Sequence, residues 1–173
     1  MTDSPLDALA IDRRAATQRT NLDAASWVDV VPGFVRDASA AFDALQAEVL
    51  RYDKYVAEQR LSAGLRPDSR PLLRQTDLHL RSVYRQQFDG VAAILYRTGD
   101  DFQGLHSDRA MRWLDETLIA IVVLGQRRPF VIRPRGSWTE SLADRVPSGK
   151  GEHDLVLLPG EGDLLVMGGR CQA

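Results

Sequence analysis

The feature that most constrains the fold is an apolar run at residues 118–124, in which every residue is hydrophobic. A short continuous run of this kind is typical of a β-strand that is covered on both faces. A turn at residues 125–128 and a second apolar segment at 130–132 follow it, and together they predict a return strand. Residues 155–158 and 163–167 predict a final hairpin around a Pro-Gly turn. The C-terminal half therefore predicts a sandwich or barrel of short strands.

The N-terminal half predicts one helix laid against this sheet. A short strand is expected from Trp27, followed by a Pro-Gly turn and by a helix that Asp37 or Ser39 can cap. Gly64 is the expected end of that helix. Apolar residues recur at helical spacing between the cap and the end: Phe42, Leu45, Val49 and Tyr52.

The segment at residues 60–85 is locally basic and contains two prolines. The prolines argue against a continuous helix in its first half, so we interpret the segment as a solvated loop region. A second interpretation is a lid beside a cleft, in which the arginines contact phosphate groups. A strand is expected to follow at residues 91–96.

Length and charge indicate one globular domain. The chain has 173 residues, which suits a single domain with a sizeable core. We assign residues 25–173 to this domain, whereas the polar residues 1–24 can form either a mobile tail or a packed arm. The net charge of −2 excludes a global basic footprint for nucleic-acid binding but leaves a local basic patch open.

Cysteine usage and hydropathy indicate the compartment. Cys171 is the single cysteine, so an internal disulfide is excluded and a reducing cytoplasm is favoured. No apolar run has the length of a membrane span, and the N-terminus lacks the pattern of a secretory signal. The sequence therefore predicts a cytoplasmic protein that does not contact membranes.

His106 and Asp108 are the residues in which we expect the chemistry to lie. On extended backbone, side chains two residues apart project from the same face, so one imidazole and one carboxylate can bind a single cation. A third ligand from a distant strand would complete the 2-His-1-carboxylate arrangement, which leaves open positions on Fe(II). The tripeptide His-Ser-Asp alone is weak evidence for a metal site, so the assignment depends on the sequence that flanks it.

Three blocks of sequence flank this pair. The first is residues 95–101, Leu-Tyr-Arg-Thr-Gly-Asp-Asp; the second, residues 125–133, has the pattern G-x-x-R-x-F-x-x-R; the third, residues 162–169, reads Gly-Asp-Leu-Leu-Val-Met-Gly-Gly. In order and spacing they resemble the AlkB-like family of Fe(II)/2-oxoglutarate-dependent dioxygenases. The resemblance covers residues 91–173, and residues 27–36 are similar to the N-terminal segment of the family.

The resemblance implies a fold and an activity. The implied fold is α+β, a double-stranded β-helix (jelly roll) core with an N-terminal helical segment and the metal in its mouth. His106 and Asp108 would bind Fe2+, and Tyr96 would hydrogen-bond 2-oxoglutarate. The implied reaction uses O2 to demethylate alkylated bases of single-stranded DNA or RNA. Four arginines are candidates for contacting the nucleic-acid backbone: Arg74, Arg81, Arg127 and Arg128. For Arg128, and for Arg133, ordinary salt bridging at a strand edge is the alternative.

The chain also departs from the family pattern. An asparagine that helps to hold 2-oxoglutarate is usual two residues before the tyrosine, where this chain has Ile94. An acidic residue that faces the substrate base is common two residues after the iron aspartate, where this chain has Ala110. The second iron histidine, the arginines for 2-oxoglutarate and the last core strand are expected beyond residue 173, so the C-terminal strands would be missing.

Two alternatives to the nucleic-acid demethylase stay open. One is a non-catalytic jelly-roll module that binds nucleic acid or a protein partner. The other keeps the oxygenase chemistry but hydroxylates a protein, a lipid or a small metabolite, which the near-neutral charge and Ala110 allow.

Overall fold

The computed structural model describes residues 11–52, 55–56, 60–108, 111, 113–134 and 153–172. These residues form a mixed α+β fold with two helices and antiparallel strand pairs. Neither of the two described helices is long and apolar enough to cross a membrane. The elements in chain order are β1 Gln18–Asn21, β2 Ser26–Val31, α1 Ala38–Tyr52, β3 Tyr55–Val56, β4 Arg60–Leu65, α2 Pro71–Tyr84, β5 Val91–Leu95, β6 Thr117–Val122, β7 Phe130–Ile132, β8 Leu155–Leu157 and β9 Leu164–Gly169.

Strand β9 is the centre of the fold. It pairs antiparallel with β2 on one side and with β6 on the other, in a four-stranded sheet of order β1-β2-β9-β6. Both of its faces are covered, because Leu164 and Val166 pack with residues of α1 and α2 while Leu165 and Met167 pack with residues of β6, β7 and β8. This two-sided burial is the reason that the strand is apolar at every position from 164 to 167.

The two remaining sheets are small. Strands β3, β4 and β5 form a three-stranded sheet that packs against α1 through Val49, Leu61, Ala63 and Leu95. Strands β7 and β8 form a two-stranded sheet that covers the far face of β9. Within the described residues these sheets do not close into a barrel.

The sequence predicted most of the strands but not their partners. Strands β2, β5, β6, β7, β8 and β9 all lie where strands were expected. The predicted hairpin of the last two strands is wrong, because β8 pairs with β7 whereas β9 pairs with β2 and β6. The turn before β9 forms its backbone hydrogen bonds with other segments of the chain and not with β8. The Gly162 N–H donates to the Val123 carbonyl at 2.7 Å, and the Gly162 carbonyl accepts from the Val35 N–H at 2.8 Å.

Helix α1 begins as predicted and ends earlier. Asp37 caps it, since the Ala40 N–H donates to Asp37 Oδ1 at 3.2 Å. The prediction that Gly64 ends the helix is wrong, because α1 ends at Tyr52 and Gly64 lies in β4 opposite Ala92. Gly64 is exposed and has no side chain, so the sequence cannot tell a glycine that ends a helix from a glycine inside a short strand.

The interpretation of residues 60–85 as a loop is also wrong, because the segment contains β4 and α2. Pro71 does not interrupt α2 but begins it, at a position where a missing N–H costs nothing. Leu72, Thr76 and Leu80 recur every fourth residue and form its buried stripe. Arg85 ends the helix in the left-handed conformation, and its N–H donates to the Arg81 carbonyl at 3.0 Å.

Residues 11–24 pack against the domain, while residues 1–10 lie outside the described part of the chain. Strand β1 pairs antiparallel with β2 and adds the outer strand of the main sheet. Ile11 is 4% exposed and forms an isolated bridge with Val35. The sequence left open a mobile tail or a packed arm, and residues 11–24 form a packed arm.

Replacing Gly168 by alanine is expected to destabilise the protein by about 1–3 kcal/mol, the usual effect of overpacking. Gly168 faces Trp27 across the β2–β9 pair, and a Cβ atom there would lie 2.0 Å from the indole ring. The matched control is Gly64→Ala, because a Cβ at that strand position meets no atom within 4 Å. Chemical denaturation of both variants is the measurement; equal stability losses would contradict this packing.

Candidate functional site

The predicted metal ligands lie on the loop that connects β5 to β6. His106 and Asp108 are not on a strand, so the expected strand geometry is wrong. Their side chains nevertheless meet: His106 Nε2 lies 3.6 Å from Asp108 Oδ1. Each of the two side chains is about half exposed, at 48% and 47%. An imidazole and a carboxylate therefore face each other at the surface, within reach of one cation.

One hydrogen bond indicates the tautomer of the neutral His106 ring. Its Nδ1 lies 2.8 Å from the Gly104 carbonyl oxygen, which can only accept a hydrogen bond. Nδ1 therefore carries the proton in the neutral ring, and the lone pair is on Nε2, the nitrogen nearer to Asp108. Metal-binding histidines commonly have this arrangement, in which the second nitrogen donates to a backbone carbonyl.

Gln103 connects Tyr96 to His106. The Tyr96 hydroxyl donates to Gln103 Oε1 over a long distance of 3.5 Å. Gln103 Nε2 lies 2.7 Å from His106 Nε2 and 3.4 Å from His106 Nδ1, so the amide packs over the imidazole ring. The three predicted site residues therefore lie in one chain of polar contacts, although the sequence did not single out Gln103.

An ion pair shapes the first part of this loop. Arg97 binds Asp101 with two parallel hydrogen bonds, Nε to Oδ2 at 2.8 Å and Nη2 to Oδ1 at 2.9 Å. The backbone N–H of Arg97 also donates to Asp101 Oδ2, at 2.6 Å. Asp101 is 3% exposed, and the Arg97 guanidinium lowers the pKa of this carboxyl to about 2.

Gln172 fixes the loop at its other end. The backbone N–H of Asp108 donates to Gln172 Oε1 at 2.8 Å, which joins the end of the main sheet to the site. Gln172 is 8% exposed, so this is an internal contact. Sequence patterns could not identify it, because the two residues are 64 positions apart.

Replacing Asp101 by asparagine is expected to reduce stability in a pH-dependent way. The pKa of Asp101 is about 2 in the folded protein, below the ordinary value of 3.8. Because the unfolded chain takes up this proton first, the stabilisation by the carboxylate is complete above about pH 4 and is lost as the pH falls through about 2. The stability difference between wild type and variant, measured by denaturation at several pH values, should shrink over this window. A difference independent of pH would contradict the pairing.

The four arginines predicted to contact nucleic acid do not form one group. Arg81 pairs with Asp77 at 2.9 Å on α2. Arg128 donates to the carbonyls of Thr98 and Asp101, and its guanidinium lies 5.1 Å from the centre of the Tyr96 ring. Arg74 and Arg127 are exposed and form no salt bridge with the described residues.

The described residues supply two candidate metal ligands at this site, His106 and Asp108. Among them, no group of three or more His, Cys, Asp and Glu side chains could hold a metal ion. His79 packs against Phe34 of the core with ring centres 5.3 Å apart, and burial lowers the pKa of His79. His153 is exposed before β8, and Ala110 lies outside the described residues.

Comparisons with known proteins do not identify a family. Neither a scan of the chain against protein-family models nor a search of curated proteins finds a match. The three sequence blocks and the geometry of the loop are therefore the grounds for a functional assignment.

Proposed function

We propose that the protein is an AlkB-like Fe(II)/2-oxoglutarate-dependent dioxygenase that demethylates alkylated bases in single-stranded DNA or RNA. The proposal includes a jelly-roll core. The antiparallel β7–β8 pair stacks on one face of the four-stranded sheet that contains β9, and this supports that fold because a jelly roll is built from two stacked antiparallel sheets.

The observation that carries the proposal is the pairing of His106 with Asp108. The Nε2 lone pair lies 3.6 Å from the carboxylate, and the second ring nitrogen is bound to the Gly104 carbonyl. An imidazole lone pair and a carboxylate are the donors of the facial iron site, so these residues fit Fe(II). The proposal requires a third ligand from outside the described residues.

Each site residue has a defined part in this mechanism. His106 Nε2 and Asp108 would hold the iron, which, when bound with 2-oxoglutarate and O2, supplies the oxidation of a C–H bond. The Tyr96 hydroxyl would donate to the co-substrate. Gln172 accepts a hydrogen bond from the backbone N–H of Asp108, which restrains the loop at the residue whose carboxylate would hold the iron. If the oxidised carbon is an N-linked methyl group, the product releases formaldehyde and the repaired base.

The substrate must reach an exposed loop. A base within a duplex would have to be flipped out, whereas a single strand presents it directly. Arg74 and Arg127 remain available for phosphate contacts because they are exposed and form no salt bridge with the described residues. Arg128 is assigned to the loop itself, since two backbone carbonyls occupy its guanidinium.

The proposal places the protein in a reducing cytoplasm, because its single cysteine, Cys171, cannot form an internal disulfide. The Cys171 Sγ lies 3.3 Å from the Trp27 carbonyl oxygen and 3.0 Å from the Gly168 carbonyl oxygen, so the single S–H is directed to backbone acceptors. Burial raises the pKa of this thiol, so it has the character of a structural cysteine and not of a nucleophile.

The experiment that tests the proposal follows the products. Full-length protein is incubated with Fe(II), 2-oxoglutarate, O2 and methylated single-stranded DNA or RNA. Formaldehyde and succinate are expected in equal amounts, and omission of 2-oxoglutarate should stop both. Formation of neither product would contradict the dioxygenase assignment.

A second candidate keeps the chemistry and changes the substrate. Two of the four predicted arginines are engaged in internal contacts, and the net charge is −2, which favours a less anionic substrate such as a protein or small metabolite. Succinate without formaldehyde would favour this hydroxylase. Binding of nucleic acid or protein with neither product would favour the non-catalytic binding module.

A further inference from the structure

Trp113 is the most exposed large apolar side chain in the described part of the chain, at 79%. Tryptophan is ordinarily a largely buried residue, because the indole ring has a large apolar surface. The apolar clusters of the described core do not include Trp113, and Leu114 beside it is 50% exposed. By contrast, Trp27 and Tyr84 stack on each other with ring centres 5.8 Å apart. The Trp113 ring is therefore a candidate contact for a ligand and not a part of the core.

The ring lies on the last part of the loop that connects β5 to β6, directly after the candidate metal ligands. The Met111 N–H donates to the Asp108 carbonyl at 2.8 Å, and the Leu114 N–H donates to the Met111 carbonyl at 3.0 Å. Each bond closes a four-residue turn, and the Cα atoms at the two ends of such a turn lie within about 7 Å of each other. Trp113 is in the second turn, so one extended ligand can contact both Trp113 and the Asp108 region.

The segment that carries Trp113 is anchored at both ends. At one end the Asp108 N–H donates to Gln172 Oε1 at 2.8 Å, and at the other Thr117 Oγ1 donates to the Gly169 carbonyl at 2.8 Å. Gln172 and Thr117 are each 8% exposed, so both anchors lie inside the protein. A restrained support lowers the conformational entropy that is lost on binding, and a tryptophan adds a large contact area with few rotatable bonds.

The chemistry of the segment favours the face of a nucleic-acid base as the ligand group. Bases of any sequence stack on exposed aromatic side chains, because every base has a π face. Residues 109–116 contain two arginines and two acidic residues, so their net charge is zero and does not repel an anionic strand. One of the acidic side chains, Asp115, lies 3.8 Å from Arg170 Nε, which offsets its charge further.

We propose that Trp113 is a strand-binding residue that stacks on a base next to the target base of single-stranded DNA or RNA. The target base would have to reach His106 and Asp108, whereas Trp113 lies beyond Asp108 in the following turns, so the two sites contact different nucleotides. The inference rests on the proposed function for the class of substrate. It does not depend on a bound metal ion, because stacking requires only the indole ring.

The test measures binding of the full-length protein, without added metal, to an unmethylated single-stranded oligonucleotide that carries a fluorescent label. Fluorescence anisotropy gives the affinity. Trp113→Ala should weaken binding by about 5- to 100-fold, the usual effect of losing one stacked base. Trp113→Phe should stay within about 3-fold of wild type because a phenyl ring also stacks, whereas Trp113→Leu should lose as much affinity as the alanine variant. Leu158→Ala, at a side chain that is 58% exposed after β8, is the matched control and should bind as wild type.

The salt dependence of binding gives a second measurement, which separates stacking from phosphate contacts. The logarithm of the binding constant falls linearly with the logarithm of the salt concentration, with a slope that is set by the number of neutralised phosphates. Trp113→Ala should lower the affinity at every salt concentration and leave this slope unchanged. Arg127→Gln, at a proposed phosphate contact, should instead reduce the slope by about one.

The other results overturn the inference. If wild type binds the strand and Trp113→Ala binds equally well, the ring is not a contact and the proposed function stands. If the leucine variant binds as the phenylalanine variant does, the ring does not act by stacking. If Trp113→Ala changes only the sedimentation of the protein, the ring is a contact between copies of the chain. If wild type binds no single strand, the inference and the nucleic-acid substrate both fail. Strand binding that depends on Trp113, with neither formaldehyde nor succinate formed, would support the stacking role and contradict only the dioxygenase assignment.

Discussion

Replacing His106 by alanine is expected to abolish metal binding at the site, with a loss of affinity larger than the roughly 10- to 100-fold that the loss of an outer-shell partner causes. The substitution removes the Nε2 lone pair that lies 3.6 Å from Asp108 Oδ1. Labile divalent ions are held poorly when one of three ligands is lost, because the remaining donors no longer enclose a facial site. Fe(II) or Mn2+ titration of the full-length variant measures the effect.

The same experiment has a matched histidine control. His153 is exposed before β8, and its replacement by alanine should leave metal affinity unchanged. The fold of His106→Ala should also be intact, because the ring is half exposed and contributes little to the core. Unchanged metal affinity in His106→Ala would show that the ligand assignment is wrong.

Replacing Phe34 by alanine is expected to destabilise the domain by about 3–5 kcal/mol, which is typical of deleting a buried phenyl ring. Phe34 is fully buried, and it packs with residues from both helices and from β9. The cavity would lie where the packed arm, the helices and the main sheet meet, so the surroundings cannot collapse easily. For a chain of this length the fall in Tm is roughly 6–20 °C.

Thermal denaturation of Phe34→Ala and of one surface control tests this packing. Leu78 is 52% exposed on α2, one residue before the histidine that contacts Phe34. Leu78→Ala should change stability by less than about 0.5 kcal/mol. A loss for Phe34→Ala as small as that of the control would contradict the placement of the core.

The strands could be predicted because a strand that is buried on both faces has a continuous run of apolar residues. The run that became β6 and the apolar core of β9 are continuous because neighbouring layers cover both faces. Their partners could not be predicted, since apolar runs that are covered on both faces carry no information about register or neighbour. The contacts of Gly162 with Val35 and Val123 direct the chain into β9, and they are backbone contacts that no side-chain pattern reveals.

Helix α2 was missed because charge and proline obscured its pattern. The prolines argue correctly against a continuous helix in the first half of residues 60–85, but proline is also favoured in the first turn of a helix, and Pro71 has that position in α2. The buried stripe of Leu72, Thr76 and Leu80 is narrow, and one of its three members is polar. Arginines on the solvent face then gave the segment the composition of a loop.

Only part of the candidate site could be predicted from the sequence. Motif spacing predicted His106, Asp108 and Tyr96, and in the structure His106 contacts Asp108 directly and Tyr96 through Gln103. Gln103 and Gln172 were not identified, because an amide that bridges other groups has no characteristic spacing. The expected strand beneath the ligands is absent from residues 103–108, and side-chain and backbone hydrogen bonds hold the loop instead.

One measurement tests most directly whether the imidazole and carboxylate of this loop hold Fe(II) for oxidation with 2-oxoglutarate. Full-length protein is titrated anaerobically with Fe(II) and then with 2-oxoglutarate while its visible absorption is recorded. The account predicts a weak charge-transfer band that appears only with both additions and is absent from Asp108→Ala. No band in the wild-type protein, or an equal band in that variant, would contradict it.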